Sequence, residues 1–125
     1  MDRAEFEKLV AAGVDAIPPQ FTAKLNNVVI TIEDLPTPQQ LGRGKVRPGT
    51  TLFGLYEGIP QTKRGGNYSL VLPDKITIFQ QPIVAAAGGD PEAVKQIVKN
   101  TVWHEIAHHF GLDEGEVRRR EAGRS

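Results

Sequence analysis

The sequence predicts a small domain that combines α-helices with a few β-strands. Three short segments rich in β-branched and aromatic residues alternate in polarity, as strands do. A long segment towards the carboxyl end repeats apolar residues every three or four positions, as an amphipathic helix does. A chain of 125 residues fits a single domain, residues 1–125, with one modest core.

The first predicted elements are a helix and a strand. Asp2 to Ala12 is predicted to be helical, because its apolar residues fall on one face: Phe6, Leu9, Val10 and Val14. Pro18 and Pro19 end this pattern, and Gln20 to Leu25 is predicted to form a short helical turn. Val28 to Glu33 alternates and predicts a strand whose better buried face carries Val28, Ile30 and Ile32.

Two further strands are predicted in the middle of the chain, each preceded by a loop. Leu35 to Gly49 is rich in Pro, Gly and Gln and has no period, so we expect a long loop there. Thr51 to Glu57 is the second predicted strand, and Gly58 to Asn67 is a polar loop. Lys75 to Gln80 is the third predicted strand, with Ile76 and Ile78 on one face.

The strongest local pattern predicts a long helix that begins at Asp90-Pro91-Glu92. These residues supply an N-cap, a proline in the first turn and an acid near the helix N-terminus. The apolar stripe then comprises Val94, Ile97, Val98, Val102, Ile106 and Phe110. Gly111 is placed to end this helix, and a final short helix is expected over about Glu114 to Ala122.

Composition excludes several classes of partner and site. Lys and Arg total 15 and Asp and Glu total 15, so no net field attracts nucleic acid or anionic lipid. The acidic start of the chain does not resemble a secretory leader, and the apolar run Ile83 to Ala87 is too short to span a bilayer. We therefore expect a cytoplasmic protein with no membrane partner. Because the chain has no cysteine, any metal must be held by histidine and carboxylate.

The chemistry is concentrated in His104-Glu105-Ile106-Ala107-His108, within the long predicted helix. Side chains four residues apart lie on the same helix face, so the two imidazoles are placed to bind one zinc ion. Glu105 lies beside the first ligand and is expected to act as general base towards the metal-bound water. The alternative is a helix with two ordinary histidines. The gathering of all three histidines at positions 104, 108 and 109 favours the metal site.

A catalytic zinc site requires a third protein ligand, for which Asp113 is the leading candidate. Gly111 allows the chain to reverse after the helix and return a short acidic side chain beneath the same face. A capping role is the alternative, since Asp113 and Glu116 have the spacing of a capping box. Glu114 and Glu116 are the other candidate ligands.

Neighbouring residues have less specific roles. His109 points about 100° away from the face of the two ligands and is expected at the rim. A group that stabilises a transition-state oxyanion is expected among His109, Tyr56, Tyr68 and Arg64. Trp103 is expected to pack beside the metal helix.

The run from His104 to Asp113 resembles the extended signature of Asp-zincins, H-E-x-x-H-x-x-G-x-x-D. The whole chain is similar to the small zincins called mini-zincins, with further likeness over residues 27–36, 53–58 and 72–79. The resemblance implies an α+β minimal zincin-like domain, in which a small sheet packs on the metal helix. It also implies a site made by His104, His108 and Asp113, with Glu105 as base.

The expected function is zinc-dependent hydrolysis of a peptide or protein substrate. An extended substrate is expected to pair with an edge strand, either Thr51 to Glu57 or Lys75 to Gln80. A zinc-binding interaction module without catalysis is one alternative, and a zinc hydrolase of a non-peptide amide or ester is another. Neither the substrate nor an oligomeric state follows from the sequence.

Overall fold

The computed structural model describes residues 1–19, 28–44, 52–58 and 73–109. These residues form helices and strands in an α+β arrangement, as the sequence predicts. The helices are α1 (Arg3–Asp15), α2 (Pro38–Arg43), α3 (Gln80–Ala87) and α4 (Pro91–His109). The strands are β1 (Val28–Glu33), β2 (Gly54–Glu57) and β3 (Asp74–Phe79).

The three strands form one mixed sheet in the order β1-β3-β2. The central strand β3 runs parallel to β1, with Ile76 opposite Ile30. It runs antiparallel to β2, where Tyr56 lies opposite the same Ile76. Among the described strands, β1 and β2 are therefore the two edges.

Helix α4 packs against α1, α3 and the β2–β3 side of the sheet. Val94, Val98, Val102 and Ile106 of the predicted apolar stripe are fully buried, which confirms the prediction for these four residues. Ile97 is half-buried, and Phe110 lies outside the described residues. Trp103 is 2% exposed and belongs to the same core, as expected for a packing residue. The same core contains Ala107 of α4 and residues from α1, the segment just after it, β3 and α3: Phe6, Val10, Ile17, Ile76, Ile78 and Ile83. None of the described helices is long and apolar enough to cross a membrane.

Arg3, at the beginning of α1, forms hydrogen bonds that connect this helix to two other parts of the fold. Its guanidinium donates to the carbonyl of Ile32 at 3.2 Å and to Oε1 of Gln80 at 2.6 Å, and it pairs with Asp34. One side chain thus joins α1 to the end of β1 and to the start of α3.

Two helices differ from the sequence prediction. Helix α2 lies inside the segment Leu35 to Gly49 that was expected to be a loop. It begins with a capping box in which Thr37 accepts from the N–H of Gln40 and Gln40 accepts from the N–H of Thr37. Helix α3 was not predicted, because it follows β3 without a polar cap. It ends at Gly88, whose φ of 63° is the left-handed conformation that glycine favours.

Smaller differences concern the ends of predicted elements. Helix α1 continues to Asp15 instead of ending at Ala12. Strand β2 begins at Gly54 instead of Thr51, and β3 is shifted by one residue to Asp74–Phe79. Strand β1 has the predicted bounds, and its outward-facing Val29 is exposed. The predicted turn Gln20 to Leu25, the final helix Glu114 to Ala122 and most of the loop Gly58 to Asn67 lie outside the described residues.

Candidate active site

Helix α4 presents His104 and His108 at the surface of the domain. Both side chains are exposed and they lie one turn apart on one helix face, opposite the buried valine stripe. Each imidazole is thus accessible to a ligand arriving from solvent. The backbone of His109 is the last described part of α4, and its side chain lies outside the described residues.

Glu105 lies between the two histidines but turns towards the sheet. Its carboxylate accepts a hydrogen bond from the backbone N–H of Tyr56, in edge strand β2. Burial raises the pKa of the Glu105 carboxyl above its ordinary value, although the Tyr56 N–H, His108 and His104 each lower it. The acid is therefore held against a strand edge, partly shielded from water, beside the two histidines that are predicted to bind metal.

The hydrogen-bond pattern of the sheet explains why this N–H is available. The N–H of Phe79 donates to the carbonyl of Phe53 at 2.9 Å, so these two residues form a hydrogen-bonded pair. Antiparallel partners alternate between bonded and non-bonded pairs, which makes Leu55 opposite Thr77 the next bonded pair. Gly54 and Tyr56 consequently direct their backbone groups away from β3, and the outward N–H of Tyr56 reaches Glu105.

The strand order shows which of the two segments predicted to pair with a substrate lies at an edge of the sheet. Residues Lys75 to Gln80 do not form an edge, because β3 is central and is paired on both sides. That alternative is wrong. The alternative at Thr51 to Glu57 falls on β2, which lies at an edge of the described sheet and beside α4.

Tyr56 contributes to the site through its backbone, a role that the sequence did not indicate. Its hydroxyl donates to Oδ2 of Asp74 at 2.7 Å and fastens β2 to the start of β3. The single hydroxyl proton is thus engaged in the sheet and is not directed at an oxyanion. The other two non-histidine candidates for that role, Tyr68 and Arg64, lie outside the described residues.

The donors present on α4 fit a zinc ion, since two accessible imidazoles and a nearby carboxylate are the chemistry that zinc prefers without cysteine. Among the described residues, no three side chains of the His, Cys, Asp or Glu type come together around one point. The predicted third ligand, Asp113, lies outside the described parts of the chain.

The acidic position of the zincin signature falls one residue later in the chain than Asp113. In the signature H-E-x-x-H-x-x-G-x-x-D two residues separate the glycine from the acid, whereas Leu112 alone separates Gly111 from Asp113. Counted from His104, the signature position is Glu114. Both Asp113 and Glu114 thus remain candidates for the third ligand.

Comparison with known proteins agrees with the arrangement of helix and sheet. A family model described as zincin-like metallopeptidase matches residues 25–124. No curated protein matches the chain. A solved structure, that of a conserved hypothetical protein from Thermo thermophilus, is similar with a TM-score of 0.54 and 22% sequence identity. The similarity covers 99% of this chain and 100% of that one, and at this identity it supports the fold alone.

Proposed function

The chain belongs to the zincin-like metallopeptidase family, and from this premise we propose that it is a zinc-dependent peptidase with Glu105 as general base. The observation that carries the proposal is the placement of Glu105. It lies between two exposed histidines, with its carboxylate on the outer edge of β2. A solely structural metal site has no need of a partly buried acid at that position.

His104 and His108 would hold the metal, with Asp113 as the proposed third ligand and Glu114 as the alternative. When bound, zinc supplies a Lewis acid that polarises a carbonyl and makes water acidic enough to ionise near neutral pH. Glu105 then takes the proton of the attacking water and returns it to the leaving amine. Its contact with Tyr56 keeps the carboxylate beside the ligands instead of in bulk solvent.

An extended peptide is the substrate that best suits this surface. The backbone groups of Gly54 and the carbonyl of Tyr56 are directed away from β3, and an added strand would pair with such groups, whereas the N–H of Tyr56 is engaged by Glu105. A peptide in that position runs past Glu105, because the carboxylate already lies on this edge. Pairing through the main chain supports binding without requiring a particular side chain at every position of the substrate.

The first prediction concerns Glu105→Gln, which keeps the size of the side chain but removes the base. We expect the variant to retain stoichiometric zinc and to lose turnover by a factor of about 10² to 10⁴, the usual contribution of a positioned general base. Cleavage is measured on a broad peptide mixture by mass spectrometry, with and without a chelator. Zinc is measured by elemental analysis of the same preparation.

Glu92→Gln is the matched control, because it is the same substitution at an exposed position on the same helix, in a surface ion pair with Lys95. It should leave both zinc content and cleavage as in the parent protein. Turnover by Glu105→Gln equal to that of the parent would contradict the mechanism. Full zinc content without any chelator-sensitive cleavage in the parent would instead favour a zinc-binding interaction module.

A further inference from the structure

Strand β2 approaches α4 most closely at Gly54. A Cβ atom placed on Gly54 would lie 2.6 Å from Cγ2 of Thr101, 3.1 Å from the carbonyl oxygen of Thr77 and 3.3 Å from Cδ1 of Ile78. The first distance is one that real Cβ atoms essentially never show, and the other two are tighter than most contacts, so the neighbours on the β3 side would have to shift by a few tenths of an ångström. Gly54 does not have a positive φ, unlike Gly88 and Gly89, so a side chain is excluded by space and not by backbone conformation.

Residue spacing on the helix and on the strand links the Gly54–Thr101 contact to the hydrogen bond between the Tyr56 N–H and Glu105. Thr101 and Glu105 lie one turn apart on α4, which separates them by about 6 Å along the helix axis. Gly54 and Tyr56 are two residues apart on β2, which separates them by about 6.6 Å. Because the two intervals nearly match, the approach of Gly54 to Thr101 also brings the N–H of Tyr56 to Glu105.

We propose that Gly54 is a positioning residue for Glu105: its missing side chain lets β2 lie close enough to α4 for the Tyr56 N–H to hold the carboxylate. The inference rests on the proposed role of Glu105 as general base and adds the feature that orients it. A backbone donor beside the carboxylate favours its charged form, which is the form that accepts a proton from water.

Gly54→Ala should separate the strand from the helix at this point. The added methyl group must move from 2.6 Å to at least the 3.4 Å of ordinary contact with Thr101, and β3 blocks movement in the other direction. Catalytic groups need to be held within about 0.5 Å of their working position. A misplacement of about 1 Å lowers a rate by about 10²-fold.

Thr101→Ser provides a designed rescue, because serine lacks the Cγ2 methyl group that the new side chain meets. The experiment uses the ¹⁵N-labelled chain of 125 residues carrying Gly54→Ala, Thr101→Ser or both, each with and without Glu105→Ala. The readout is the change in the Tyr56 amide resonance that Glu105→Ala causes, which reports whether the N–H still contacts the carboxylate. Peptide cleavage by the zinc-loaded proteins with Glu105 intact is measured in parallel.

We expect Glu105→Ala to move the Tyr56 amide resonance in the parent and to have little effect on it in Gly54→Ala. In the double variant, Glu105→Ala should change the Tyr56 amide resonance by most of the amount seen in Thr101→Ser. We expect a somewhat smaller change because the added methyl group still lies close to the Thr77 carbonyl, at 3.1 Å. The kcat of Gly54→Ala should fall by about 10²-fold, and the double variant should recover most of it. Gly42→Ala, which meets nothing within 4 Å, is the control that changes neither readout.

A Tyr56 response in Gly54→Ala equal to that of the parent would overturn the proposal, and so would a double variant no better than the single one. If Gly54→Ala does not fold, the double variant tests the proposal instead. Folding with a Tyr56 response close to that of Thr101→Ser supports the role of Gly54, and a double variant that fails to fold or to recover the response contradicts it. A parent protein that binds zinc but cleaves no peptide would contradict the proposed function, while the amide comparison would still test the role of Gly54.

Discussion

Asp90 illustrates how a single side chain supports the candidate site from a distance. Its Oδ2 accepts a hydrogen bond from the N–H of Ala93 at 3.0 Å, which satisfies one of the unpaired donors in the first turn of α4. Its charge also complements the positive end of the helix dipole. The cap stabilises the helix that carries His104 and His108 but lies at the opposite end from them.

Asp90→Ala should lower the free energy of unfolding by about 1 kcal/mol, the usual loss when an N-cap side chain is removed. Asp90→Asn keeps an oxygen acceptor and should retain most of the stability. Urea denaturation followed by circular dichroism measures both variants. Equal loss in the two would show that charge, and not the hydrogen bond, is the main contribution; zinc bound per folded molecule should be the same in all three proteins.

At the scale of elements, the crossing of α1 and α4 depends on Gly13. A Cβ on Gly13 would lie 2.9 Å from the carbonyl oxygen of Lys95, 3.1 Å from Cγ1 of Val98 and 3.2 Å from the N–H nitrogen of Lys99. Two of these atoms belong to the backbone of α4 and cannot move without the helix. The two helices are thus packed at a distance that only glycine permits at this position.

Gly13→Ala should therefore destabilise the protein by about 1 to 3 kcal/mol through overpacking, even though alanine favours a helix by about 1 kcal/mol. Gly42→Ala in α2 is the matched control, because nothing lies within 4 Å of its added Cβ. The control should be neutral or slightly stabilising. The stabilities of both variants and the parent are compared by thermal and urea denaturation. A Gly13→Ala variant as stable as Gly42→Ala would contradict the close packing of α1 against α4 at this position.

At the scale of the whole molecule, the proposed metal connects the end of α4 to the chain beyond it. His104 and His108 stand on a helix fixed in the core by Val98 and Val102. The proposed acid, Asp113 or Glu114, follows that helix in sequence. A metal held by all three groups binds the folded chain in preference to the unfolded one, so binding and folding are linked.

Zinc should accordingly raise the free energy of unfolding of the parent, by about 2.7 kcal/mol at a free concentration 100 times its Kd. A chelator should reverse the increase, and His104→Ala should remove it. The third ligand is identified by measuring zinc content and the zinc-dependent change in Tm for Asp113→Ala and Glu114→Ala side by side. The acid whose replacement lowers both is the ligand. A zinc response in His104→Ala equal to that of the parent would contradict the proposed site.

Local patterns in the sequence were sufficient for part of this architecture. The valine stripe, the Asp90 cap and the bounds of β1 were predictable because each depends on residues a few positions apart. The pairing of His104 with His108 on an exposed helix face follows from the same helical periodicity. Helix α2 was missed although its capping box, Thr37 with Gln40, is itself a local signal.

Long-range packing decided the rest. The central position of β3 and the edge position of β2 arise from pairing between strands that are far apart in the chain, for which periodicity carries no information. The approach of Gly54 to Thr101 joins residues nearly fifty positions apart, as does the contact of Tyr56 with Glu105. The sequence alone determined which residues have the chemistry for a zinc site. Only the tertiary structure determined what holds Glu105, because its partner is a backbone N–H, a group that almost every residue possesses and that side-chain identity cannot reveal.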